Sequence, residues 1–249
     1  NEFGVRIGST FLTVGTCILT WWTGRLLAGP LVGLLSGLVM STCIWTGVGG
    51  RAATPDASLV FCTTLAATIY AHAIQRGALS MITKWHAIGI GLACGLAVLA
   101  KGPVGIVLPV LAFFFTSLAL RQNSDSIDWR SWLFTTANSL RLLTIFSFAA
   151  IVALPWYLMV GLRTNGQWIT DFLFIHNAGR FASPMEGHSG SILYYPMILA
   201  IGMFPWSIVL LAIPTHALFL SRSKRLTSWH FRAVAFAGCW VLVWVGAFS

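Results

Sequence analysis

The stretch GLAVLAKGPVGIVLPVLAFFF, residues 95–115, places a single lysine, Lys101, between two apolar runs and follows it with Gly102 and Pro103. One helix through both runs, about 36 residues, would be roughly 54 Å long, far more than the roughly 30 Å of bilayer hydrocarbon. It would also hold the lysine near the membrane centre, at a cost of about 2.5–3.5 kcal/mol. Pro103 lacks an N–H and disfavours helical geometry at Gly102. The stretch therefore predicts two membrane helices joined by a tight turn, with Lys101 at the outer membrane surface.

The composition of the whole chain is that of a membrane protein. Of 249 residues, 57% are hydrophobic and 8% are charged, against roughly 25% charged in soluble domains. The apolar blocks are continuous and about 16 to 25 residues long, which fits spanning helices and not the alternating pattern of membrane strands. We predict an all-α, polytopic transmembrane bundle of about eight helices, at approximately 6–23, 27–48, 57–75, 85–100, 104–120, 141–162, 191–220 and 231–249.

Two connections between the predicted helices are long. Residues 121–140 form a polar connection with room for a surface helix, and residues 163–190 predict an extracytoplasmic interfacial loop of mixed aromatic and polar character. The chain has no initiator Met and ends within an apolar run. These features predict that 1–249 is a partial transmembrane domain, with a first outer loop upstream and a C-terminal part missing.

The net charge of +9 reflects membrane topology. The basic residues are spread through inter-helix loops and form no stripe, so nucleic acid is excluded as a partner. One side of the membrane receives ten of them, which predicts that this side is cytoplasmic. The other side receives five, namely Arg6, Arg51, Lys101, Arg163 and Arg180.

Two polar residues at the outer ends of the spans, Lys101 and Asp56, each allow two interpretations. Lys101 is either a boundary lysine that extends its ammonium into water or a cation directed at a phosphate at the membrane surface. Asp56 opens a span, where a carboxylate stabilises the helix dipole, and it could equally hold Lys101 or a sugar hydroxyl.

The segment HNAGRFASPMEGH, residues 176–188, is the densest in reactive side chains. His176 and Arg180 are four residues apart, so a helical turn would place an imidazole beside a guanidinium. Such a pair could supply a metal ligand or proton carrier next to a phosphate clamp. The alternative is a solvated loop whose His and Arg have no catalytic role. The sequence contains no H-E-x-x-H, C-x-x-C, G-x-S-x-G or phosphate-binding glycine loop.

Five blocks in order resemble a known family: RAATPD at 51–56, LAKGPVG at 99–105, LPWY at 154–157, HNAGRFASPMEGHSGSILYY at 176–195 and MFPWS at 203–207. They are similar to the polyprenyl-phosphate-sugar-dependent glycosyltransferases of the GT-C superfamily. These are bacterial relatives of the dolichyl-phosphate-mannose protein mannosyltransferases and include the aminoarabinose transferase that modifies lipid A. The resemblance extends along nearly the whole chain.

The resemblance implies an inverting sugar transfer from a polyprenyl phosphate carrier to a glycolipid or protein acceptor, at the outer face of the bacterial cytoplasmic membrane. It implies that the acidic base lies upstream of Asn1. It also implies roles for residues present here: Lys101 and Arg180 near the donor phosphate, Asp56 in the same cavity with Asn177, Glu186 and His188, and His176 as a ligand where a divalent metal is used.

A secondary transporter is the alternative function. Transporters place ionisable residues near the bilayer midplane within broken helices and often have an internal repeat. No Asp, Glu, Lys or Arg falls deep inside a predicted span, and no repeat is evident. The sequence therefore favours the glycosyltransferase.

Overall fold

A computed structural model describes residues 2–75, 82–120, 129–170, 172, 194–209 and 228–248 of the chain. Within these ranges the regular secondary structure is entirely helical, which confirms the predicted all-α class. The helices are α1 (Glu2–Ala28), α2 (Pro30–Thr42), α3 (Ile44–Gly49), α4 (Asp56–Ile74), α5 (Lys84–Lys101), α6 (Val104–Leu120), α7 (Trp129–Ser139), α8 (Leu142–Arg163), α9 (Gln167–Thr170), α10 (Tyr194–Gly202) and α11 (Ser228–Phe248).

Three helices of the described ranges are long and apolar enough to cross a membrane: α4, α8 and residues His230–Ala247 of α11. Helices α2 and α6 are apolar but shorter, at 13 and 17 residues. Helix α8 exposes large apolar side chains, including Leu143 at 84% and Leu162 at 81%. Such exposure on a helix with few polar residues is typical of a surface that contacts lipid.

Helix α1 is more polar because threonines recur along it. Five of them have their hydroxyls in hydrogen-bonding contact with the carbonyl four residues earlier, namely Thr10, Thr13, Thr16, Thr20 and Thr23. The hydroxyls are thereby satisfied within the helix, as an apolar surrounding requires. The polarity of α1 is therefore compatible with its place in the bundle against α2 and α4.

Four predicted spans agree with the structure at their ends. Helix α6 coincides with the predicted 104–120, and α4, α5 and α8 begin and end within one residue of prediction. The polar connection contains a helix, α7, as anticipated; its location at the membrane surface stays a prediction.

The continuous span predicted at 27–48 was wrong, because Cys43 interrupts it with extended backbone. The break is compensated by a second break after α10. The amide of Ile44 donates to the carbonyl of Phe204 at 3.2 Å, and the indole N–H of Trp206 donates to Thr42 Oγ1 at 2.7 Å. Paired in this way, the interruptions leave fewer backbone groups unsatisfied than either would alone.

Helices α5 and α8 approach closely because α5 has glycines where they meet. A Cβ on Gly91 would lie 2.6 Å from the carbonyl oxygen of Ile145, and a Cβ on Gly95 would lie 2.7 Å from Cβ of Val152. Small residues four apart allow this kind of backbone contact in membrane helices. The pair fixes α8 against the helix that carries Lys101.

The core lies among α4, α5, α6 and α11. Tyr70 of α4 is fully buried and stacks on Phe113 of α6, with ring centroids 4.4 Å apart. Its hydroxyl contacts the carbonyl of Phe113 at 3.2 Å and shares a 2.8 Å hydrogen bond with Ser117. Phe236 of α11 also stacks on Tyr70, with ring centroids 6.0 Å apart. These contacts hold α4 and α6 together, which sets the spacing of the helix ends at the site.

Candidate functional site

The turn between α5 and α6 presents Lys101. Helix α5 ends at this residue, and Gly102 follows with φ 81° and ψ −158°, a backbone region that is essentially restricted to glycine. The amide of Gly102 donates to the carbonyl of Val98 at 2.7 Å, which closes the helix end. Helix α6 begins at Val104, so the prediction of two helices with a turn at Gly102 is confirmed.

Close packing below the turn depends on a second glycine. A Cβ on Gly105 would lie 2.4 Å from the backbone carbon of Ala97, which is fully buried. No larger residue fits without separating α5 from α6. The position of Lys101 is therefore determined by the backbones of two helices in contact.

Lys101 and Asp56 form an ion pair at this end of the bundle. The ammonium of Lys101 donates to Oδ1 of Asp56, the first residue of α4. Both side chains remain accessible, with 39% and 52% of their area exposed. Of the two partners considered for Asp56, a lysine and a sugar hydroxyl, the structure supplies the lysine. An ammonium has three N–H donors, so Lys101 retains two for another acceptor.

An aromatic cluster lies beside the lysine-bearing helix end, and Tyr157 connects the two. The hydroxyl of Tyr157 donates to the carbonyl of Val98 at 3.3 Å. Its neighbour Trp156 meets Trp168 edge to face at 5.0 Å between centroids, and Trp168 stacks on Phe172 at 4.8 Å. No role is predicted for Tyr157 from the residue pattern alone, although Tyr157 lies in the LPWY block.

The other predicted site residues lie outside the described residues. They are His176, Asn177, Arg180, Glu186 and His188. Within the described ranges, no three side chains of His, Cys, Asp or Glu converge as metal ligands. In the described ranges, Asp56 is paired with Lys101.

The ion pair and the aromatic cluster up to Trp168 lie within a region that matches a known family. Residues 1–169 match the family described as dolichyl-phosphate-mannose-protein mannosyltransferase. The chain belongs to this family. The match contains the α5–α6 turn, Asp56 and Tyr157, so these parts of the site lie within the region that the family shares.

Curated relatives of the chain are bacterial and have the name undecaprenyl phosphate-alpha-4-amino-4-deoxy-L-arabinose arabinosyl transferase. The protein from Edwardsiella ictaluri is 30% identical over 209 residues, which are 83% of this chain and 35% of that protein. The protein from Enterobacter sp. strain 638 is 27% identical over 249 residues, which are 98% of this chain and 40% of that protein. The chain thus spans little more than a third of the length of these relatives.

A solved structure shares the fold. The crystal structure of ArnT from Cupriavidus metallidurans bound to undecaprenyl phosphate matches with a TM-score of 0.71 at 22% identity. The match covers 100% of this chain and 41% of that one. At this identity the likeness establishes that the two chains share a fold.

Proposed function

We propose that these 249 residues form part of a membrane glycosyltransferase that moves a sugar from a polyprenyl phosphate to a lipid or protein acceptor. The observation that supports this proposal is the exposed ion pair of Lys101 and Asp56 at the end of α5. Both residues lie within the region that matches the family. The active face is proposed to be extracytoplasmic, at the bacterial cytoplasmic membrane. The excess of basic residues on the opposite side supports this orientation.

Lys101 is proposed to contact the donor phosphate. In the transfer, the acceptor oxygen forms a bond to the anomeric carbon, the bond between that carbon and the phosphate oxygen breaks, and polyprenyl phosphate leaves with additional negative charge. A pre-positioned ammonium stabilises charge that develops in the transition state. The two N–H donors of Lys101 that Asp56 does not use are available for the phosphate oxygens.

Asp56 is proposed as a positioning residue. It holds Lys101 at the helix end, which reduces the rotamer freedom that a four-carbon side chain would lose on binding phosphate. Arg180 is proposed as the second cation of the clamp, with Asn177, Glu186 and His188 in the substrate cavity and His176 as a metal ligand where a metal is used. The base that removes the acceptor proton is proposed to lie in a part of the whole protein outside these residues.

The arrangement of charges argues against a secondary transporter. Asp56 and Lys101 are the first residue of α4 and the last residue of α5, so both lie at helix ends. A transporter would instead bind its coupling ion near the bilayer midplane.

The test uses the two lysines that bound α5. In the full-length protein, Lys101→Ala should reduce sugar transfer from a polyprenyl-phosphate donor by about 10²-fold, equivalent to about 2.7 kcal/mol of transition-state stabilisation. Lys84→Ala removes the same charge from the first residue of the same helix and should leave transfer unchanged. Turnover is measured with membranes that contain each variant at equal abundance.

Lys101→Ala should keep its folded structure, because an exposed ion pair contributes only about 0–1 kcal/mol. Melting temperature in detergent checks this point. Wild-type transfer by folded Lys101→Ala would exclude the proposed phosphate contact. Equal losses of transfer in Lys101→Ala and Lys84→Ala would show that transfer depends on the net charge of α5 and not on Lys101 specifically.

A further inference from the structure

An apolar cavity of about 620 Å³ lies beside the break between α2 and α3. Its walls come from α1, α2, α3 and α10, and its apolar lining includes Val32, Leu35, Val39, Met40, Leu199 and Met203. From Val32 to Met40 the lining follows α2 over eight residues, about 12 Å. The cavity therefore runs lengthwise along the helices.

The cavity opens at the apolar surface of the bundle. Val32 and Leu35 of α2 are exposed, and so is Leu199 of α10. At one end of the cavity, Trp45 of α3 is 66% exposed and lies against α10, where a Cβ on Gly202 would be 3.0 Å from its ring. Tryptophan at such a position is typical of the boundary between hydrocarbon and headgroups. A molecule dissolved in the bilayer can thus enter the cavity without crossing water.

The polar side chains of the lining already use their hydrogens within the protein. Thr20 and Ser36 each donate to the carbonyl four residues earlier, at 2.8 and 2.7 Å. The hydroxyl of Thr46 lies 3.8 Å from the sulfur of Met40, and the thiol of Cys43 lies 3.8 Å from the carbonyl that follows α10. A ligand group that needs a hydrogen-bond donor would remain unsatisfied here, which is costly in an apolar surrounding. The lining therefore favours hydrocarbon.

A cation lies beyond the Trp45 end of the cavity. Arg51 follows α3, and its side chain is exposed. Its amide donates to the carbonyl of Val48 at 3.1 Å, and the preceding carbonyl, that of Gly50, accepts a 3.0 Å hydrogen bond from Thr10 of α1. The backbone that carries the guanidinium is thus fixed to both α3 and α1.

We propose that this cavity binds one alkyl chain of a phospholipid whose headgroup carries a net negative charge, with Arg51 on the lipid phosphate. A guanidinium can donate two parallel N–H bonds to phosphate oxygens. Asp56, the nearest acidic residue along the chain, is paired with Lys101 and leaves the charge of Arg51 available. The bound chain would fill the space between α2 and α10 beside their paired interruptions. This proposal is independent of the glycosyltransferase assignment.

The experiment places the full-length protein in bilayers that contain a trace of phospholipid with a photoreactive diazirine in its acyl chain. After illumination, mass spectrometry of peptides locates the adducts. In the wild type, phosphatidylglycerol should label residues 32–40 and 198–203 about five-fold more than phosphatidylcholine does, as expected for one basic residue near an anionic headgroup. Arg51→Gln should abolish this preference. Arg163→Gln, which removes the same charge from the end of α8, is the matched control and should keep it.

A second pair of variants tests the cavity itself. Val39→Trp places a large side chain in the lining and should remove most of the adducts at residues 198–203. Leu38→Trp adds the same side chain at an exposed position outside the lining and should preserve them. Melting temperature in detergent identifies folded variants. Because Arg51 is exposed, Arg51→Gln keeps the test available even where Val39→Trp fails to fold.

The proposal is overturned when the two phospholipids label the wild-type cavity equally, when Arg51→Gln keeps the preference, or when folded Val39→Trp retains the wild-type adducts. It is also overturned when the adducts avoid the cavity and fall on α8 alone. That last result would show that another part of the whole protein fills the cavity.

Discussion

The hydroxyl of Tyr157 on α8 donates to the carbonyl of Val98 on α5, 3.3 Å away. The same carbonyl accepts the amide of Gly102 at 2.7 Å. One oxygen therefore joins the end of α5, the turn that follows and a neighbouring helix. Because Lys101 lies one turn beyond Val98, α8 contributes to its position through this carbonyl.

Removal of this hydroxyl should affect transfer more than stability. Tyr157→Phe loses one hydrogen bond, which should lower the free energy of unfolding by about 1 kcal/mol. It should also reduce transfer several-fold, because the end of α5 becomes less constrained. Turnover and melting temperature of the full-length variant measure the two effects.

Tyr70→Phe is the matched control for Tyr157→Phe. Its hydroxyl bonds to α6 within the core, away from the turn. A similar loss of stability with unchanged transfer is expected. Equal losses of transfer in both variants would contradict a specific role for Tyr157.

Exchange of the two charges separates ion pairing from phosphate binding. In the double variant Asp56→Lys with Lys101→Asp, the pair can reform, so the melting temperature should recover part of what each single variant loses. Transfer should remain about 10²-fold below wild type, because a carboxylate would now be carried by the α5 helix end where the phosphate is proposed to bind. Recovered transfer would indicate that the pair has only a structural role.

The glycine that ends α5 should be needed for activity as well as for the turn. Gly102→Ala introduces a Cβ at φ 81°, which should cost about 1–3 kcal/mol, and relief of that strain should displace Lys101 and reduce transfer. Gly29 has a similar backbone, with φ 93° and ψ 175°, between α1 and α2. Gly29→Ala should therefore lower stability comparably and preserve transfer; if its transfer also falls, the loss in Gly102→Ala reflects instability alone.

Helix packing predicts opposite outcomes for one chemical change at two sites. Gly91→Ala places a methyl group 2.6 Å from the carbonyl oxygen of Ile145, and should destabilise the protein by about 1–3 kcal/mol. Gly238→Ala in α11 meets nothing within 4 Å and should be neutral or stabilising by up to about 1 kcal/mol. Thermal unfolding in detergent measures both. Destabilisation by Gly238→Ala as large as that by Gly91→Ala would contradict close packing of α5 on α8.

Sequence patterns predicted the helices of this fold where local chemistry determines them. Pro103 and the length of the apolar runs place the α5–α6 turn, because a proline and the bilayer thickness act on neighbouring residues. The ion pair of Lys101 with Asp56 was one alternative among several, since 45 residues separate the partners. The packing of α4 on α5 in the structure shows that Lys101 is the partner of Asp56.

Other features depend on contacts that no local pattern contains. The hydroxyl of Tyr157 finds its acceptor 59 residues away, and the break at Cys43 finds its partner about 160 residues away. Histidines 72 and 86 are brought together by the antiparallel packing of their helices. A single sequence shows which residue types occupy these positions, but it does not show which of them come into contact in the folded protein.

The paired interruptions near Cys43 and Phe204 also constrain biosynthesis. During translation, Ile44 reaches the membrane long before Phe204 leaves the ribosome, so its amide must wait for the carbonyl that satisfies it. Until then, the junction of α2 and α3 needs water, a headgroup or an insertion factor as a temporary partner. The hydrogen bond between Ile44 and Phe204 can thus form only after α10 has been synthesised.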